Sequence, residues 1–135
     1  MTLVEQIVAA SRVYIIGNGG SLANANHICN DLLTCGIKAY TLDSATLSAW
    51  ANDNGWEYVF AQWMAVVGEP GDLLIALSGS GKSLNILNAV TEAERMGMTV
   101  HKIFGNERGE SMQDAEEMQL TIGHQVRACL QLKTS

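Results

Sequence analysis

Three stretches of this chain combine polar or small residues in patterns that reactive and ligand-binding sites use. "GNGGS" (Gly17–Ser21) and "SGSGKS" (Ser78–Ser83) put small hydrogen-bonding residues directly after apolar runs, and His27 stands four residues before Asp31. A glycine- and serine-rich loop leading into a helix offers close backbone N–H groups, hydroxyls of adjustable direction and a positive helix end, which together suit a phosphate. A spacing of four puts His27 and Asp31 on one helical face, suited to holding a metal ion jointly or to a base oriented by a histidine. The bland alternatives are two N-cap turns and a structural or solvated histidine paired with its neighbour.

The second loop also imitates a nucleotide-binding P-loop, G-x-x-x-x-G-K-S/T, through Gly81-Lys82-Ser83. The first glycine of that pattern falls on Ala76, whose Cβ obstructs the turn that aims backbone N–H groups at phosphates. An atypical nucleotide-binding domain is therefore the third reading, and no nucleotide cofactor is expected. The dinucleotide pattern G-x-G-x-x-G counted from Gly17 ends on Leu22, where tight packing wants Gly or Ala.

The elements that must position these residues alternate. After a short helical start, RVYIIG (12–17) is a buried strand, 20–34 a helix stopped near Gly36, and IKAYTL (37–42) a second strand. Asp43-Ser44 reads as the N-cap of a segment ending at Asn54. Trp56, Val59, Phe60, Trp63, Met64 and Val67 then recur at the spacing of one buried helical face, which explains the tryptophans without a ligand. Glu69-Pro70-Gly71-Asp72 turns into a third strand, 72–78. A helix follows over 82–96, then a fourth strand TVHKIF (99–104), a turn GNERGE, and MQLTI (118–122) as a fifth strand. The fold class expected is α/β: a three-layer α/β/α sandwich with a doubly wound, five-stranded parallel sheet of order 2-1-3-4-5. In that order both Gly/Ser loops sit at the carboxyl ends of strands 1 and 3, where the winding reverses and ligands bind.

With 135 residues the chain fits one domain, and 47% hydrophobic against 16% charged residues is a globular balance. The net charge of −6, with no basic run, argues against direct nucleic-acid binding. Three cysteines without C-x-x-C spacing suggest neither a disulfide framework nor a ribbon-type zinc site. No apolar run approaches the ~20 residues that cross a bilayer, and the start lacks a signal-peptide pattern. A soluble cytoplasmic protein without membrane contact is expected.

"GNGGS", "ANDNGWEYVF" and "EPGDLLIALSGSGKS" closely resemble the sugar isomerase (SIS) domain, in particular its phosphoheptose isomerase branch, over 12–123. That branch interconverts sedoheptulose 7-phosphate and a heptose 7-phosphate. The resemblance implies one SIS domain over 1–135, shortened at both ends, with a sugar phosphate as substrate. The family's S-T-S-G-N-S phosphate loop maps onto Ser78, Gly79, Ser80, Gly81, Lys82 and Ser83; the three serines are kept, and Gly79 and Lys82 depart. Ser21, with Asn18, Gly19 and Gly20 in the first loop, would help hold substrate, and Asn18, Asn52 and Asp53 would meet sugar hydroxyls. The local alternative for "NDNG" is an Asx-type turn, behind the sugar-contact reading.

The related enzymes carry His-x-x-x-Glu on the first helix, which here is His27 to Asp31, implying catalytic roles for both and zinc as the metal they would share. Asp is a methylene shorter than Glu, which can leave the carboxylate short of the carbon to be deprotonated. The relatives' long final helix supplies a glutamine and a second histidine, for which "IGHQVRACLQLKTS" offers only the loose candidates His124 and Gln131. A homodimer or homotetramer is likewise implied. "SLANANH" is similar to a non-catalytic branch that binds the bacterial replication initiator, so a phosphosugar-binding or regulatory module without turnover stands as the alternative.

Overall fold

The computed structural model of the chain describes residues 1–106 and 111–134. A Thr2/Glu5 capping box opens α1 (Leu3–Ala9), and the apolar run behind it forms β1 (Val13–Ile16), buried at every position. Then follow α2 (Gly20–Thr34), β2 (Ala39–Thr41) and α3 (Ser44–Asn54), the last capped by the Asp43 carboxylate accepting from the Thr46 N–H at 3.1 Å. A single 3-10 turn (Trp56–Tyr58) leads into α4 (Val59–Val67), β3 (Leu73–Ser78), α5 (Leu84–Arg95), β4 (Thr99–Phe104) and α6 (Met112–Thr134).

The described strands make one sheet of order β2-β1-β3-β4 with every pairing parallel, Ile15 opposite Ile75 and Ser78 opposite Phe104. Both central strands are buried throughout because helices cover both faces, as parallel strands require. Alternation along them feeds two cores. Val13, Ile15, Leu73, Ile75 and Leu77 pack with Ile28 and Leu32 of α2 and with Val126 and Leu130 of α6. Tyr14, Ile16, Leu74 and Ala76 pack with Phe60, Trp63 and Met64 of α4 and with Ile86, Ala89 and Val90 of α5. Each such Leu, Ile or Phe contributes roughly 1.5–3 kcal/mol of burial. The chain winds from β1 to β2 on one side and from β3 to β4 on the other, which leaves a crevice beyond the carboxyl ends of β1 and β3.

The expected fifth strand is not formed: 118–122 lies inside α6, and the described residues contain four strands. Met118, Leu120 and Ile122 alternate over five positions, but over a longer window the buried residues are Ala115, Gln119, Gly123, Val126 and Leu130, a helical period. The second strand is shorter than 37–42, and the helix after the second loop starts at Leu84 rather than at 82, with Ser83 as its N-cap. Trp56 falls outside the buried stripe: Gly55, at φ +99°, breaks the chain before it, and its side chain is 46% exposed. The turn expected at GNERGE falls for the most part on residues 107–110, outside the described residues. Among the described residues no helix is long and apolar enough to cross a membrane.

Candidate functional site

At the end of β1 the chain must turn sharply enough for α2 to begin at Gly20. A Cβ on Gly17 would lie 2.6 Å from both the carbonyl carbon and the carbonyl oxygen of Ser21, so only glycine admits this approach, and Gly19 takes φ +54° to complete the turn. In the second loop the serines organise themselves. Ser78 Oγ accepts the Gly81 N–H at 3.0 Å, Ser80 Oγ accepts the Lys82 N–H at 3.1 Å, and both hydroxyls lie within 3.5 Å of Ser83 Oγ. Ser83 makes no side-chain capping bond to α5, so its hydroxyl remains available at the positive helix end. Beside it opens a recess of about 190 Å³ lined by Ser80, Gly81, Lys82, Phe104, Gly105 and Asn106. Ala76 is fully buried inside β3, so the position where a P-loop needs its first glycine belongs to the strand. Gly79 is buried beneath the Met112 thioether, and Lys82 is exposed.

The two loops are tied together. Asn18 Nδ2 donates to Asn85 Oδ1 at 2.8 Å and Asn85 Nδ2 returns a bond to Asn18 Oδ1 at 2.9 Å, the Asn85 side chain being fully buried. This reciprocal amide pair locks the first loop to the helix that follows the second. Gly19 and Gly20 are exposed at the crevice, whereas Ser21, 3% exposed, is turned toward α6, where its hydroxyl accepts from Gln119 Nε2 at 3.0 Å. Asn52 and Asp53 sit on the exposed end of α3, Asn52 Nδ2 donating to Asp53 Oδ1 at 3.2 Å. No hydrogen bond among the described residues ties either to the loops.

The largest departure from the sequence reading is α6, a 23-residue helix laid beside α2 in the same direction. Asn24 donates to Gln119 and to the Glu116 carbonyl, His27 meets His124, and Asp31 meets Arg127, so the two helices keep step residue for residue. Gly123 permits this, since a Cβ there would stand 2.7 Å from Ile28 Cγ1. His124 thereby changes from a loose candidate into the direct partner of His27, with Nε2 to Nε2 at 3.1 Å, while Gln131 lies about 10 Å farther along the helix axis. Asn85, Gln119 and Arg127 were not marked by sequence reasoning at all. The small residue before His124, in a run with helical period, was the one signal of a close helix crossing.

His27, Asp31 and His124 each offer one donor atom, and these atoms lie within 4.8 Å of one another. Asp31 is 1% exposed; its Oδ1 accepts from Arg127 Nη1 at 2.9 Å, and its Oδ2, 3.3 Å from His27 Nε2, has no hydrogen-bond partner among the described residues. A buried carboxylate oxygen without a donor is costly unless something cationic meets it. Two imidazole nitrogens and one carboxylate form a three-ligand set with an open position. Tetrahedral bonds of 2.0–2.1 Å separate neighbouring ligand atoms by about 3.3 Å, close to the two spacings from His27 Nε2, 3.1 Å to His124 Nε2 and 3.3 Å to Asp31 Oδ2. The donor set therefore fits a zinc-like ion. Cys29, two residues from both His27 and Asp31 and so on another face of α2, is not part of it: burial pushes its thiol above the ordinary value and keeps it protonated.

A family model described as SIS domain matches residues 2–105, a stretch that holds both loops and all four strands. Among curated relatives, a phosphoheptose isomerase of Akkermansia muciniphila is 34% identical, the match covering 90% of this chain and 76% of that protein. One of Campylobacter concisus is 36% identical, covering 96% of this chain and 72% of that protein. Among solved structures, a phosphoheptose isomerase from Francisella tularensis superposes with a TM-score of 0.87 at 26% identity, over 96% of this chain and 82% of its own. The matched stretch includes both glycine-serine loops at the switch point of the parallel sheet, and the chain belongs to the SIS domain family.

Proposed function

We propose that this chain is a phosphosugar isomerase of phosphoheptose type, moving a proton between C1 and C2 of sedoheptulose 7-phosphate or a similar sugar phosphate through an enediolate. The observation that carries this reading is the convergence of Ser78, Ser80 and Ser83 on one hydroxyl cluster at the start of α5, on the same sheet edge as the helix that bears His27. Those hydroxyls and the α5 N-terminus grip the phosphate; Asn18, Gly19 and Gly20 border the sugar; Asn52 and Asp53 are kept as contacts for sugar hydroxyls. Holding the phosphate fixes the far end of a short chain and so aligns C1 and C2, which is where much of the rate of such an isomerisation resides.

Zinc is the occupant proposed for His27, Asp31 and His124, and when bound it supplies Lewis-acid polarisation of the substrate carbonyl oxygen. Asp31, 1% exposed, would hold the ion from the buried side of the cluster, while the exposed His27 and His124 face the substrate. In protein without metal, the 3.1 Å contact between the His27 and His124 Nε2 atoms sets the N–H of one ring against the bare nitrogen of the other, and parting this pair would free that nitrogen to accept the substrate's proton. Zinc content measured on active protein separates these two uses. The reading includes a single SIS domain, assembly as a homodimer or homotetramer, and a cytoplasmic location.

Incubation with sedoheptulose 7-phosphate, followed by phosphorus and proton NMR, is expected to show an aldose 7-phosphate accumulating. Unphosphorylated sedoheptulose is expected to react at least about a hundredfold more slowly, because the gripped phosphate supplies the alignment. Sugar phosphate bound without turnover would assign the chain to the phosphosugar-binding module instead. Tight ATP–Mg²⁺ binding abolished by Lys82→Ala would favour a nucleotide site.

A further inference from the structure

We infer that Arg127 is a positioning residue for the cluster: it clamps one oxygen of Asp31 so that the other is presented to the two histidines. This rests on the function and metal reading proposed above. Asp31 is 1% exposed, and Arg127 Nη1 at 2.9 Å from Oδ1 is its only hydrogen-bond donor among the described residues. Arginine on a carboxylate usually bonds both oxygens through its planar fork. Here it takes one, and Oδ2 is left unpartnered and directed at His27 Nε2, 3.3 Å away. Arg127 reaches this carboxylate from α6, one turn beyond His124, with 38% of its own side chain still exposed. The same helix face therefore carries a donor of the cluster and the clamp for another.

Two physical effects of Arg127 have opposite signs, which makes the inference testable. If it merely adds positive charge beside a cation site, removing it should tighten metal binding; if it orients Asp31, removing it should weaken binding. Partners of this kind typically account for a 10–100-fold difference in metal affinity. Zinc affinity measured by competition with a chromophoric chelator, well below the melting range, is expected to fall by about that factor in Arg127→Met and to recover most of the loss in Arg127→Lys, with inorganic phosphate binding close to wild type and the melting temperature lowered in Arg127→Met because Asp31 loses its donor. Equal or tighter zinc binding by Arg127→Met overturns the inference. Should wild-type protein take up no zinc, the metal reading falls, and Arg127 is judged on the His27 ring by nitrogen NMR. A single tautomer in wild type and a mixture in Arg127→Met sustains positioning, while identical spectra overturn it. Should Arg127→Met fail to fold, Arg127→Gln carries the same comparisons.

Discussion

Replacing His124 by alanine is expected to lower kcat/KM for the ketose phosphate by about 10²–10⁴-fold while leaving phosphate affinity near wild type. The split follows from where the groups sit. His124 meets His27 with its Nε2 on α6, whereas the proposed phosphate grip is the hydroxyl cluster of Ser78, Ser80 and Ser83 ahead of α5. His27→Ala should cost a similar factor, and the double variant little more than either alone, because groups that act as one unit do not add. His124 is exposed and no hydrophobic core depends on it, so its loss should leave melting nearly unchanged. Steady-state kinetics beside a thermal melt check this. Near-normal turnover by His124→Ala would remove the cluster from the chemistry.

Gly105→Ala should be the most damaging small substitution for both stability and binding. Its Cβ would lie 2.4 Å from the Gly79 carbonyl oxygen and 2.5 Å from Ala115 Cβ, neither of which can yield without moving the second loop or α6. The Gly105 N–H also donates to the Ser78 carbonyl at 2.9 Å, which stitches β4's exit to the phosphate loop. Overpacking of this kind costs roughly 1–3 kcal/mol, and here the shift acts on the serine cluster and on the helix that bears His124 together. Denaturant unfolding should therefore show a loss near the top of that range, accompanied by a rise in KM. Gly36→Ala is the control: it has open space but a φ of +83°, and should cost only about 1 kcal/mol with KM unchanged.

Much of this architecture was legible because local chemistry repeats itself along the chain. Fully apolar runs followed by glycine and serine marked β1 and β3 and put both loops at the switch point; TVHKIF matched β4, and Asp43 its cap, residue for residue. What escaped was pairing between helices. His27 and His124 are 97 residues apart and Asn18 and Asn85 67 apart, and spacing within one helix says which face a residue occupies, not which helix will lie against that face. The short alternation in MQLTI misled for the same reason, since the longer period that makes α6 a helix becomes decisive only when α2 supplies the surface it packs on. Ser21 shows the converse case: a hydroxyl in a Gly/Ser loop is turned inward because a glutamine on α6 meets it.

In the proposed reaction one sugar phosphate spans the crevice, its phosphate on the second loop and its C1–C2 end at the histidine pair. A crystal structure of the protein with sedoheptulose 7-phosphate tests it most directly. Phosphate oxygens are expected within hydrogen-bond distance of the Ser78, Ser80 and Ser83 hydroxyls and the first N–H groups of α5, with C1 and C2 directed at His27 and His124. A phosphate seated away from that loop, or a sugar whose C1–C2 end points away from both imidazoles, would contradict it.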